Sequence, residues 1–221
     1  MNFSALVSSA RNFPVFGDEI FAGTNKRPSH RHLQLSRWAK QGKVIRLKRG
    51  LYTLPEEYRR APLSLRWLAN TLYSPSYLSL EYMLSWYDMI PERVAEMTSV
   101  TTLKTASFTN ALGHFSYRSL KKRHFFGFEE TTDESGRPVL LAVAEKALLD
   151  YIYLYSGWEN SEDFIDKNIR LQQLDQLNAP RLKAFAKRFD SKKLFRAVDF
   201  LLSRSLNTIL RSASTRRNKG F

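Results

Sequence analysis

Between Pro28 and Pro55 the periodicity of the chain changes once, and that change limits what the segment can become. His30 to Gln41 contains no Gly or Pro, Pro28-Ser29 is a helix-starting pair, and Gly42 is a natural C-terminal stop, so a helix is predicted there. At about 3.6 residues per turn, Leu35, Trp38 and Ala39 share one face and His30, Gln34, Arg37 and Gln41 the other. Leu33 falls off the apolar stripe and Arg31 lies near it. Ile45 and Leu47 then alternate with Arg46 and Lys48, Arg49-Gly50 makes a turn, and Leu51 to Leu54 resumes an apolar strand that ends at Pro55. A helix with one packing face thus runs directly into a hairpin with a basic tip.

Two shorter helices are expected upstream. Ala5-Leu6-Val7 with Ala10 opens the first, which Pro14 ends, and Phe16 to Phe21 offers the second before the breaker run Gly23-Thr24-Asn25. Three short helices followed by a two-stranded hairpin is the order of a winged helix-turn-helix, whose third helix enters the major groove while the hairpin tip lies along the backbone. Ser29, His30, Gln34 and Arg37 carry donors suited to base edges, and Lys26, Arg27, Lys40, Lys48 and Arg49 suit phosphate oxygens. Arg31 and Arg46 complete the candidate DNA-binding set.

The distribution of charge agrees with a polyanionic partner. The 35 Lys and Arg against 21 Asp and Glu give a formal charge of +14 over 221 residues. Residues 1–60 carry +8, residues 61–160 carry −2 and residues 161–221 carry +8, so the surplus sits at two ends around a near-neutral middle. Without cysteine there is no disulfide framework, thiolate metal site or cysteine nucleophile, in agreement with a reducing cytosol. No apolar run approaches the roughly 18–20 residues that span a bilayer, and Met1 to Leu6 lacks the features of a signal peptide. A soluble cytoplasmic protein without a membrane partner is expected.

The middle of the chain mixes both periods. Ala61 to Tyr73 reads as a helix broken by Ser74-Pro75, and Ser79 is placed to cap a helix from Leu80 to Met89. Strands are predicted over 97–102, 106–109, 114–118, 125–132 and 139–142, forming a small, mostly antiparallel sheet. Ala144 begins a helix reaching about Tyr155, in which Lys146 and Asp150 are four residues apart and read as a surface ion pair. Glu81, Glu145, Lys146 and Asp150 are the clustered acid–base candidates, but their spacing provides no cleft and no shifted pKa. There is no P-loop, dinucleotide fingerprint or HExxH pair, so no catalytic residue, cofactor or metal is assigned.

Helices are expected again from Ser161, from Pro180, and from Ser191 to about Leu210. Lys187, Arg188, Lys192, Lys193 and Arg196 form a possible secondary basic surface, and Ser212 to Phe221 reads as a mobile basic tail. The expected fold class is α+β, with three regions: a winged helix-turn-helix over 1–58, a mixed domain with a small antiparallel sheet and C-terminal helices over 59–211, and the tail over 212–221.

The run Arg37-Trp38-Ala39-Lys40-Gln41-Gly42-Lys43-Val44-Ile45-Arg46-Leu47-Lys48-Arg49-Gly50-Leu51-Tyr52 closely resembles the winged helix of AbiEi-type antitoxins, a group of transcriptional regulators associated with phage defence. Tyr77 to Tyr87, Met97 to Thr101, Ala144 to Asp150 and Phe185 to Lys193 also resemble this group, and together these segments cover most of the chain to about residue 200. The resemblance implies an antitoxin that represses its own promoter by cooperative binding to repeated half-sites in operator DNA, and that opposes a nucleotidyltransferase-like toxin encoded beside it. It leaves open whether the toxin is contacted directly: the main rival is an antitoxin acting chiefly by direct protein–protein neutralisation of its toxin, a regulator without a toxin partner is another reading, and an enzyme acting on nucleic acid is a third.

Overall fold

The computed structural model describes residues 1–23, 27–155 and 170–203. Lys26, the helix expected from Ser161, the far end of the last helix and the basic tail lie outside the described residues.

The N-terminal unit begins with α1 (Phe3–Ala10), whose first turn is closed by the Asn2 side chain accepting from the Ala5 amide at 2.9 Å. Leu6 and Ala10, one turn apart, supply its buried face. The expected second helix is a single 3-10 turn, Asp18–Phe21, because Gly17 and Gly23 bracket too few residues to propagate an α-helix. α2 (Pro28–Lys40) has proline in its first turn, where the missing N–H costs nothing. Its Leu35 and Trp38 are buried, with Trp38 stacked on Phe21 at 6.3 Å and meeting Phe3 edge-on at 6.0 Å. Gly42 takes φ +71°, which a side chain would resist, and turns the chain into β1 (Ile45–Lys48). β1 pairs antiparallel with β2 (Leu51–Thr53), and a register shift falls between Arg46 and Lys48. The backbone of Phe16 bonds both ways to Tyr52, which fastens the loop after α1 to the hairpin.

A 3-10 turn at Glu56–Tyr58 leads to the second unit. α3 (Leu65–Leu72) is capped by Ser64 and followed by β3 (Ser76–Leu78) and α4 (Leu80–Trp86). Then come β4 (Met97–Thr101), β5 (Ala106–Asn110), β6 (Gly113–Ser119), β7 (Phe128–Thr132) and β8 (Pro138–Ala142). Helices α5 (Ala144–Leu154), α6 (Ala179–Phe189) and α7, over 192–203, follow among the described residues. The molecule is a mixed α+β protein in which the described residues include no helix long and apolar enough to cross a membrane.

The larger sheet is wider than the small one expected, and although most of its pairings are antiparallel, two are parallel. Six strands lie in the order β5-β6-β4-β3-β8-β7, with β6–β4 and β3–β8 parallel and the other three pairings antiparallel. β3 was not anticipated. Its three residues are all buried at the centre of the sheet, so they show no alternation of apolar and polar side chains that would identify a strand. Ser79 is also reassigned: it makes no cap bond to α4, and its hydroxyl turns inward to Asp150.

The hairpin β1–β2 joins the two units. Tyr52, Leu54 and the preceding Val44 belong to the N-terminal core, whereas Leu47 is 2% exposed in the core of the second unit, with Ile45 and Leu51 packed beside it. Lys48 Nζ donates to the Leu72 carbonyl at the end of α3 (2.6 Å), and Asn110 Nδ2 donates to the Leu47 carbonyl (3.2 Å).

Candidate nucleic-acid interface

The packing of α2 determines which of its side chains face outward. With Leu35 and Trp38 inward, Ser29, His30, Arg37 and Lys40 are exposed, as are Arg27 at the helix N-cap and Gln41 at its C-cap. Arg37 and Lys40 occupy the last turn, where their charge complements the negative end of the helix dipole. Arg31 is half-buried. Gln34 is also half-buried, and its Nε2 donates to the Met1 carbonyl at 2.8 Å, so it ties the N-terminus to α2. Exposed His32 faces Asp18 at 3.6 Å. A shallow concavity on this side is lined by His30, Leu33, Gln34, Arg37, Trp38 and Gln41. Leu33, which falls off the apolar stripe and carries no donor, is 50% exposed within it.

The hairpin divides its cations. Arg46 and Arg49 are exposed, while half-buried Lys48 is committed to the Leu72 carbonyl. The reading of Lys48 as a phosphate clamp is therefore replaced by that of a tie between the hairpin and α3.

Toward the C-terminus, Lys187, Arg188, Lys192 and Arg196 are exposed, and the Arg188 guanidinium lies 3.9 Å from the centre of the Phe126 ring. Lys193 is half-buried and donates to the Tyr155 carbonyl. Lys121, Lys122 and Arg123, also exposed, are brought beside α6 by a 3-10 turn whose buried His124 packs on Phe189 at 4.7 Å. Burial holds His124 below the ordinary histidine value, helped by the charges of Arg123, Lys146 and Lys121. Only the fold makes these three cations neighbours of α6.

The acid–base candidates are not a surface constellation. Lys146 and Asp150 are both fully buried and ion-paired, which overturns their reading as a solvated helix pair. Lys146 Nζ donates to Tyr77 Oη at 2.8 Å, Tyr77 Oη donates to Asp150 Oδ2 at 2.8 Å, and Ser79 Oγ donates to the same oxygen at 2.9 Å. The ammonium also lies 4.6 Å from the Phe189 ring centre and 5.0 Å from that of Phe126. Burial pushes Asp150 up and Lys146 down, while the attraction between them opposes both shifts. Burial above all, and then the charge of Asp150, drives Tyr77 well above the ordinary tyrosine value. Buried Glu145 faces elsewhere, accepting from the Asn178 amide at 2.6 Å and pairing with Arg181 at 2.8 Å. Glu81 lines a separate cleft with Glu92, Glu96, Arg118 and Tyr151, and burial raises its carboxyl. Among the described residues no group of three His, Asp or Glu could hold a metal ion. The chain matches no family model, and no curated protein matches it.

Proposed function

We propose that this chain is a sequence-specific DNA-binding regulator whose N-terminal unit works as a winged helix-turn-helix. α2 enters the major groove, and the tip of β1–β2 follows the adjoining backbone. The observation that carries this reading is the division of α2: Leu35 and Trp38 fix the helix against its own core, and that leaves Arg27, Ser29, His30, Arg37 and Lys40 outward, followed in the chain by exposed Arg46 and Arg49. Arg37 is the base reader, because a guanidinium can bond two acceptors of a guanine edge. Arg27, Lys40, Arg46 and Arg49 serve phosphates.

The resemblance of Arg37 to Tyr52 and of the later segments to AbiEi-type antitoxins extends the proposal. On that reading the chain represses the promoter of its own operon in the cytoplasm and opposes a nucleotidyltransferase-like toxin. The test is a mobility-shift titration with the intergenic fragment upstream of its gene. A retarded complex that unlabelled fragment competes away, and random duplex does not, is the expected result. Arg37→Ala should cost about 1–3 kcal/mol and relax preference at one base pair. Absence of retardation, or equal weakening by Arg37→Ala on every sequence, contradicts the reading.

A further inference from the structure

We infer that Leu33 reads the 5-methyl group of a thymine and so makes a thymine close to the guanine faced by Arg37 part of the recognised sequence; this rests on the DNA-reading role of α2 proposed above. Leu33 stands 50% exposed on a helix whose Leu35 and Trp38 are buried. Its neighbours one turn away, His30 at i−3 and Arg37 at i+4, are both exposed, and all three line one concavity with Gln41. An apolar side chain set among donors gains nothing from water, and the fold provides it with no core to join.

The major groove offers such a side chain one apolar partner. Guanine presents acceptors there, adenine an acceptor and a donor, cytosine a donor, and thymine an acceptor together with its methyl group. Four residues of helix advance about 6 Å, close to two base-pair steps of roughly 3.4 Å. Leu33 and Arg37 therefore address positions within about two base pairs of each other. The charge around Leu33 suits this occupant as well, since exposed Arg27 and Lys40 are placed to hold the helix against phosphates on either side.

The experiment uses the full chain and a duplex that it selects from a randomised pool. Each thymine in the footprint is replaced in turn by deoxyuridine, which removes the methyl group and keeps the hydrogen-bonding edge. At one position, within about two base pairs of the guanine whose preference Arg37→Ala relaxes, this replacement is expected to weaken the wild-type complex about fourfold. Leu33→Ala should bind thymine and deoxyuridine duplexes equally at that position, and Leu33→Met should keep the discrimination. Alanine is the better helix former and Leu33 fills no core, so circular dichroism should show both variants folded. Equal sensitivity of wild type and Leu33→Ala at every thymine overturns the inference and leaves DNA reading by α2 intact. Failure of the wild-type chain to select any duplex overturns both.

Discussion

A lysine and an aspartate with no solvent exposure, on one turn of α5, are held by what surrounds them. Each would be costly to bury alone, and the hydroxyls of Tyr77 and Ser79 complete the hydrogen bonding of the pair. Asp150→Asn leaves the Lys146 ammonium buried without a counter-charge and should lower unfolding free energy by about 3–5 kcal/mol in urea titrations. Adding Lys146→Met should recover most of that loss, because the amide still accepts from both hydroxyls. In the single variant Lys146 binds its proton less readily folded than unfolded, so the deficit should shrink as pH rises toward the ordinary lysine range. The Asp133 charge stabilises where that of Lys146 destabilises, yet stability again rises with pH. Burial acts to raise its carboxyl, but the amides of Arg137 and Ser135 and the Ser135 hydroxyl prevail and bring it down to about 2. Its contribution is complete above the ordinary aspartate value of 3.8 and is lost as pH falls toward about 2. Asp133→Asn should flatten acid destabilisation across that window by on the order of 1 kcal/mol, a figure reduced for solvent screening.

At the scale of elements, the two basic residues beside the hairpin turn have separate duties. Lys48→Ala removes a charged donor from the Leu72 carbonyl and should cost about 1.5 kcal/mol of stability without altering the salt dependence of DNA binding. Arg49→Ala, at an exposed tip, should leave stability within about 0.5 kcal/mol and reduce the salt slope by about 1. Both are read by denaturant titration and by fluorescence anisotropy across a salt series. No local pattern distinguishes the two cations: which one faces a helix end depends on where α3 stops, more than twenty residues later. Elsewhere the sequence was informative where one face packs and the other is wet. The inward Leu35 and Trp38 and the hairpin follow from periodicity, and five of the six large-sheet strands from their apolar, β-branched and aromatic residues. β3 did not, because it is three residues long, buried throughout and without a β-branched side chain. α5 misled for a related reason. Charges four apart look the same on a wet helix and a dry one, and the overlooked signal was the apolar company of Lys146 and Asp150, since all residues from Glu145 to Ile152 are buried.

For the whole molecule, the question is how much of the charge of +14 a duplex would meet. The exposed cations assigned to phosphates in the N-terminal unit are Arg27, Lys40, Arg46 and Arg49, with Lys48 withdrawn into the structure. Each phosphate contact contributes about −0.9 to the slope of log K against log salt, so those four predict a slope near −4. Arg46→Ala combined with Arg49→Ala should bring it to about −2. The basic C-terminal end, with Lys121, Lys122, Arg123, Lys187 and Arg188 exposed, belongs to the second unit and is built on the sheet and α6. On a duplex no longer than the footprint of α2 and the hairpin, Lys187→Ala with Arg188→Ala should leave the slope unchanged. A wild-type slope near −8 that relaxes in this double variant would instead place the C-terminal end on the same duplex. The measurement is informative because Coulombic contacts with phosphates change the salt slope whatever the base sequence, whereas loss of the Arg37 contact acts at one base pair.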